Sequence, residues 1–177
     1  MGTYLNPGNS GFSRIRNDIY VDKSGLIALI NDTIDTTRSM TCVSRPRRFG
    51  KSFAAQMLCA YYDKTCDSQS LFKDLNIARS EDYKRHLNQY DVIYLNMTDV
   101  LGETSAEDLI AFIKRNILRE LTEAYPALSV VDGVSATLVN AVEAAGYKFI
   151  MISPTPTTAW STPAQTAVSA ARSAPTT

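Results

Sequence analysis

The stretch Arg45-Pro-Arg-Arg-Phe-Gly-Lys-Ser52 carries residue types that can hold a phosphate chain. Gly50 permits close backbone approach, Lys51 brings a point charge to the β- and γ-phosphates, and the Ser52 hydroxyl is a ligand for Mg²⁺. A loop curled around a phosphate turns successive N–H groups inward. The helix that follows adds its first-turn N–H groups and the positive end of its dipole. Arg45, Arg47 and Arg48 add charge where phosphates would lie, and Pro46 removes one N–H and fixes φ. The phosphate-binding reading therefore spans Arg45, Pro46, Arg47, Arg48, Phe49, Gly50, Lys51, Ser52 and Phe53, with Ser52 as the metal ligand. The regular pattern opens with Gly where this chain has Arg45. A basic turn that merely caps a helix is the other reading.

Such a loop needs a strand to enter from and a helix to leave by. Met40-Thr-Cys-Val-Ser44 is strand-like, and in Phe53–Tyr62 the residues Ala54, Met57, Leu58 and Tyr61 recur at helical spacing. Tyr61 and Tyr62 fit a core stripe better than a surface for stacking a base. Asp91–Met97 and Tyr147–Ile152 read as further strands, and the apolar run of the former suits a strand covered on both faces. Asp22 can cap a helix over Lys23–Asn31, and Ser80 one running through Leu87. Thr104-Ser-Ala-Glu107 reads as a capping box that opens a helix to about Ala124, with Leu109, Ile113, Ile117 and Leu121 as its apolar stripe and Pro126 as its stop. Ser135 opens one more helix, ended by Gly146. Alternating strands and helices predict an α/β fold, a P-loop NTPase-like parallel sheet with flanking helices.

Three further stretches travel with the loop: Ile19-Tyr-Val-Asp-Lys-Ser-Gly-Leu-Ile27, Leu71-Phe-Lys-Asp-Leu-Asn-Ile77 and Tyr90-Asp-Val-Ile-Tyr-Leu-Asn-Met97. Together they resemble the bacterial AAA-ATPase-like family, over roughly residues 4 to 152. The resemblance implies ATP and Mg²⁺ as cofactors and ATP hydrolysis as the parent reaction. Family members often carry a nuclease-like C-terminal domain. In the family the strand that corresponds to Tyr147–Ile152 runs on into Asp-Glu-Trp-Asp. The Asp helps hold Mg²⁺ through its water shell, and the Glu orients the attacking water. Here Phe149–Ile152 is followed by Ser153-Pro-Thr-Pro, and no Asp or Glu occurs after Glu143. The expectation is nucleotide binding with negligible turnover. The alternatives are a non-catalytic nucleotide-sensing or interaction module, or a non-functional truncated remnant. Asp99 follows a different strand and could approach the site. Asp22 and Lys23 take a capping and surface role with at most a minor part in the site, and Glu103, Glu107 and Asp108 suit a helix dipole.

Composition narrows the classes. The chain has 177 residues, enough for one sizeable core, and a formal net charge of zero. Zero net charge offers no global field for nucleic acid or a membrane surface, so nucleic-acid contact would rest on the single basic patch. Three cysteines without a CxxC pair fit a reducing cytosol, with Cys42 and Cys59 in the core, and a cytoplasmic location is expected. His86 is the only histidine, which argues against a His-based metal site and for a surface helix position. No run reaches the ~20 apolar residues of a membrane span. From Ser153 onward Ser, Thr, Pro and Ala dominate, so the chain divides into 1–152, a partial P-loop domain, and 153–177, a disordered tail. The abrupt shift reads as the out-of-frame end of a truncated gene, with a natural linker as the alternative. An incomplete sheet of this kind would expose an edge and apolar faces, which self-association or a partner protein would cover.

Overall fold

Strands β1 (Met40–Ser44), β2 (Asp91–Tyr94), β3 (Phe149–Pro154) and β4 (Gln165–Ala170) form one sheet in the order β1-β4-β3-β2. The structure is a computed structural model, and it describes residues 2–44, 49–105, 107–130, 133–154 and 165–170, with 143–145 and 165–170 as backbone alone. The helices are α1 (Ser10–Arg16), α2 (Gly25–Asn31), α3 (Lys51–Tyr62), α4 (Gln69–Phe72), α5 (Tyr83–His86), α6 (Met97–Glu103), α7 (Leu109–Ala124) and α8 (Val134–Ala145), with a 3₁₀ turn at Asn76–Arg79. This is a mixed α/β architecture. β2 and β3 pair in parallel, while β4 is antiparallel to both β3 and β1. Hence β1, β2 and β3 share one direction, and one row of the sheet reads Tyr94, Ile152, Val168, Thr41.

β4 corrects the expectation of a tail without regular structure at residues 165–170. Low apolar content argued that the tail could not bury a face. A strand between two others is held first by its backbone N–H and C=O groups, whatever its side chains. β1 and β3 would otherwise present unpaired edges one strand apart, and Gln165-Thr-Ala-Val-Ser-Ala170 has β-branched Thr166 and Val168 to suit the slot.

Side chains alternate across the sheet and feed two cores. On one face Val92, Ile150 and Ile152 join α3, Phe12 of α1, and Ile27 and Ile30 of α2. On the other Ile93 and Phe149 join Ile117 and Leu121 of α7 and Ala141 and Val142 of α8. β2 and β3 are therefore covered on both sides, as the apolar run at 91–97 predicts. β1 is not: Met40 is 78% exposed and Cys42 is exposed, which corrects its expected place in the core. β1 lies at the end of the sheet, beyond the helices that pack on β2 and β3. Cys59, in the middle of α3, is fully buried, and burial pushes its thiol pKa well up.

α3 packs between the sheet and α1, so it is apolar nearly all round. Tyr61 and Tyr62 are completely buried in it. The Tyr61 hydroxyl donates to the Tyr83 carbonyl at 2.7 Å, and the Tyr62 hydroxyl to Asn31 Oδ1 at 2.8 Å. His86 is buried as well, with Nδ1 2.6 Å from the Tyr90 hydroxyl. Its expected surface position is thus corrected: α5 is a single turn, and its last residue faces the core. The helix expected from Thr104 starts later, at Leu109. Its N-cap is Asp108, and Ser105 braces the turn ahead of it, with Oγ accepting from Asp108 N–H at 3.2 Å and donating to Asp108 Oδ2 at 3.1 Å. Ahead of it lies α6, where Asn96 Oδ1 accepts from the Thr98 N–H.

Two buried carboxylates tie distant segments together. Glu120 of α7 accepts from the N–H groups of Thr3, Tyr4 and Leu5 at 3.1, 2.9 and 2.7 Å. Asp91 of β2 is fully buried and meets Asn6 Nδ2 at 2.9 Å, the Tyr125 hydroxyl, and Lys64 Nζ at 2.7 Å. The Lys64 ammonium also sits over the Tyr125 and Tyr147 rings, 5.2 and 5.5 Å from their centroids.

Candidate functional site

α3 begins at Lys51, so Lys51 and Ser52 occupy its first turn, where N–H groups point out of the helix end. Gly50 is the N-cap, at φ 73 and ψ 30, a left-handed conformation that costs an L-residue about 1–2 kcal/mol. The Ala54 N–H closes the first helical bond onto the Gly50 carbonyl at 2.9 Å. Phe49, Ser52 and Phe53 are exposed and Lys51 is half-buried. Arg45, Pro46, Arg47 and Arg48, the basic half of the expected loop, lie outside the described residues.

A second cation lies beside the glycine. A Cβ added at Gly50 would stand 3.1 Å from Lys23 Cε and 3.4 Å from Lys23 Nζ. Lys23 is thereby more than a surface charge next to a cap. Its neighbour Asp22 is not the expected cap, since α2 begins at Gly25 with Ser24 as its N-cap; Asp22 instead accepts from Ser24 N–H at 2.7 Å and from Asn76 N–H at 2.8 Å. Burial opposes the charge on Asp22, but these donors outweigh it and hold the carboxyl below its usual range.

The segment leading to Lys23 is pinned from beneath. The Tyr20 hydroxyl lies 3.3 Å from Met57 Sδ of α3 and accepts from Lys23 N–H at 3.3 Å. The Tyr20 ring meets Phe12 edge-on at 5.4 Å, with the Arg16 guanidinium 5.4 Å from its centroid. Partial burial raises the Tyr20 pKa. The flanking residues face the other way: Ile19 is 94% and Val21 68% exposed. Ile19, Tyr20, Val21 and Lys23 wall one side of a cavity of about 300 Å³, and Phe49, Gly50 and Phe53 form the other. A neighbouring cleft of about 470 Å³ shares Ile19 and Phe53 and is lined by Arg14, Asp18, Ser52 and Gln56 among others.

The acidic candidates are engaged elsewhere. Asp99 Oδ2 accepts from Asn96 Nδ2 at 2.7 Å at the start of α6, and Asp108 is tied to Ser105. Glu103 and Glu107 are exposed. At the end of β3, the Ser153 hydroxyl donates to the Leu95 carbonyl at 3.3 Å. Among the described residues no three His, Cys, Asp or Glu side chains gather as a metal site. No helix among them is long and apolar enough to cross a membrane.

The arrangement is a strand followed by a helix headed by a left-handed glycine, with Lys51 and Ser52 in its first turn and Lys23 beside the glycine. No curated protein and no solved structure matches the chain. One family model does, described as a predicted AAA-ATPase, over residues 7–148, and this span takes in α1, the Tyr20–Lys23 segment, β1, α3 and β2. The chain therefore belongs to the AAA-ATPase-like family.

Proposed function

We propose that this chain binds the triphosphate of ATP, with Mg²⁺, at the N-terminal end of α3 and does not turn it over at an appreciable rate. The observation that carries this reading is Gly50, held left-handed at the head of a 12-residue helix that follows β1. That geometry lets a phosphate approach the backbone without a Cβ in the way. Lys51 supplies charge to the phosphates, and Lys23 adds a second ammonium beside the glycine. Arg47 and Arg48 supplement both.

For Mg²⁺ the donor set is thin. Ser52 offers one exposed hydroxyl oxygen, and no carboxylate cluster stands near it among the described residues. A metal here would be held by Ser52, the phosphate oxygens and water, so it fits as a companion of the nucleotide. Its chemistry when bound is neutralisation of phosphate charge.

Slow turnover follows from β3. Hydrolysis needs an acid to hold the metal's water shell and another to orient the attacking water. β3 ends in Ser153 and Pro154, and Ser153 is occupied with a carbonyl. Losing such preorganised groups costs about 10²–10³-fold or more in rate. This makes the chain a nucleotide-sensing module rather than an ATPase.

Calorimetric titration with Mg-ATP, beside Lys51→Ala and a phosphate-release assay, tests the reading. Expected are saturable binding by the natural chain, at least tenfold weaker binding by the variant, and no phosphate release above background. Equal binding by both would remove the phosphate assignment, and Lys51-dependent phosphate release would remove the sensor reading.

A further inference from the structure

We infer that the outer edge of β1 is an interface at which two copies of this chain pair strand against strand, about a two-fold axis through Cys42. The pairing is antiparallel and joins the two sheets into one.

The two edges of the sheet differ. β2 is closed by the chain's own N-terminal segment. Tyr94 N–H donates to the Tyr4 carbonyl at 2.8 Å, Asn6 N–H donates to the Val92 carbonyl at 2.7 Å, and Asn6 Oδ1 accepts from Val92 N–H at 2.7 Å. β1 has β4 on one side, and among the described residues no other backbone group bonds to it. An open edge is a template for another strand, and chains that stay apart guard it with lysine, proline, a bulge or a covering element. β1 reads Met-Thr-Cys-Val-Ser, without a charge or a proline. Its register with β4 runs from Met40 to Ser44 residue for residue, so no bulge twists the edge away.

The strand is complementary to itself. A two-fold axis normal to the sheet sets residues of the same face opposite one another, so possible registers differ in steps of two. Only the register centred on Cys42 keeps the whole strand paired: Met40 meets Ser44, Thr41 meets Val43, and Cys42 meets its counterpart in the second copy. Thr41 shares a row with Ile152 and Tyr94, so Thr41 and Val43 lie on the face that carries α3, where both are half-buried. Two β-branched side chains opposite each other make a favourable cross-strand contact. Met40, Cys42 and Ser44 lie on the other face and are exposed, because α7 and α8 pack on β2 and β3.

Charge favours a second copy over a strand of another kind. β1 has no charge for a foreign partner's charges to answer, and a second copy brings none against it. In sequence Arg38 precedes the strand and Arg45 follows it, both outside the paired stretch. Antiparallel copies bring the end that Arg38 precedes beside the end that Arg45 follows. That repulsion is exposed and screened, so association tightens as salt rises, whereas a foreign strand with carboxylates at its ends would loosen. A single short strand pair buries less than the ~1,200 Å² of stable complexes, so the dimer is weak and depends on concentration.

The test is sedimentation of the full chain over a concentration series in reducing buffer, beside Cys42→Lys and Cys42→Asp. Cys42 faces solvent, so the fold tolerates either change, and circular dichroism checks this. Expected is a monomer–dimer equilibrium for the natural chain that tightens with salt, and about tenfold weaker association for each variant alone, since like charges then meet at the axis. An equimolar mixture of the two variants should recover the dimer, because lysine then opposes aspartate. A short bis-maleimide should link the natural chain into a covalent dimer, and Cys42→Ser should abolish the link. A natural chain that stays monomeric up to about 1 mM overturns the inference. So does association that both variants leave unchanged, which places the interface elsewhere, or a mixture that stays monomeric, which removes the register. Growth beyond the dimer, or a dimer that loosens with salt, also overturns the closed pairing of two copies.

Discussion

Replacing Gly50 by alanine separates a glycine that the backbone requires from one that is incidental. At φ 73 the left-handed conformation costs a non-glycine residue about 1–2 kcal/mol. The added Cβ meets Lys23 Cε at 3.1 Å, tighter than ordinary contact, but the end of a lysine can move aside. Against this, alanine lowers the entropy of the unfolded chain, which returns about 0.4–1 kcal/mol. The net is a destabilisation of about 1 kcal/mol, or roughly 2–4 °C in Tm for a chain of this size. The matched control is Gly25→Ala. Gly25 opens α2, has no positive φ, and an added Cβ there would meet nothing within 4 Å. Gly25→Ala should be neutral or stabilising by up to about 1 kcal/mol. Urea denaturation of both variants, followed by circular dichroism, reads the difference. If Gly50→Ala is as stable as Gly25→Ala, the left-handed N-cap is not a fixed feature, and the phosphate-binding argument loses its base.

Two predictions concern the parts that support the site. His86 is buried, and burial first, then Arg85, lowers its pKa, so the folded chain binds fewer protons than the unfolded one as pH falls below the ordinary histidine value near 6.5. Stability should therefore be full above that pH and decline as pH drops through the window beneath it; a His86→Gln variant whose denaturation midpoint keeps the same slope over that window would show the cause lies elsewhere. Removing Lys64 leaves the fully buried Asp91 without its cation, so Lys64→Ala should cost about 3 kcal/mol, whereas Arg16→Ala at the exposed Arg16–Asp74 pair should cost under about 1 kcal/mol. Equal losses in denaturation experiments would mean that burial of Asp91 does not set the energetics.

The elements around the loop were legible because local signals and tertiary demands agree there. β1, α3, β2 and β3 follow from apolar runs and helical spacing, and Gly146 ends α8 left-handed at φ 69, as a C-terminal glycine should. Ile117 and Leu121 of the predicted stripe are buried, while Leu109 and Ile113 are half-buried, Ile113 packing against the margin of the same core. The sequence is silent where the deciding partner is remote in sequence. His86 is drawn inward by Tyr90, and Cys42 is left outward because β1 ends the sheet. Lys23 looks like any helix-start lysine until the fold sets it against Gly50. Likewise Ile19 and Val21 carry no local sign that they would share a cavity with Phe49 and Phe53. β4 has no local signal, because its composition says little and its register is set by pairing with β1 and β3.

That pairing pattern has a consequence for biosynthesis. β4 is the sheet neighbour of β1. β1 therefore cannot dock while the ribosome is still making the middle of the chain, although α3, which follows it, can already collapse onto α1 and α2. It must wait for residues 165–170, and in the interval its backbone edge is open to any other nascent or misfolded strand. Closing so long a loop also makes the step slow relative to the local contacts that precede it. Yield from translation would then be set by how quickly the last strand arrives, and chaperones that shield exposed edges would act on this chain between synthesis of β1 and capture by β4.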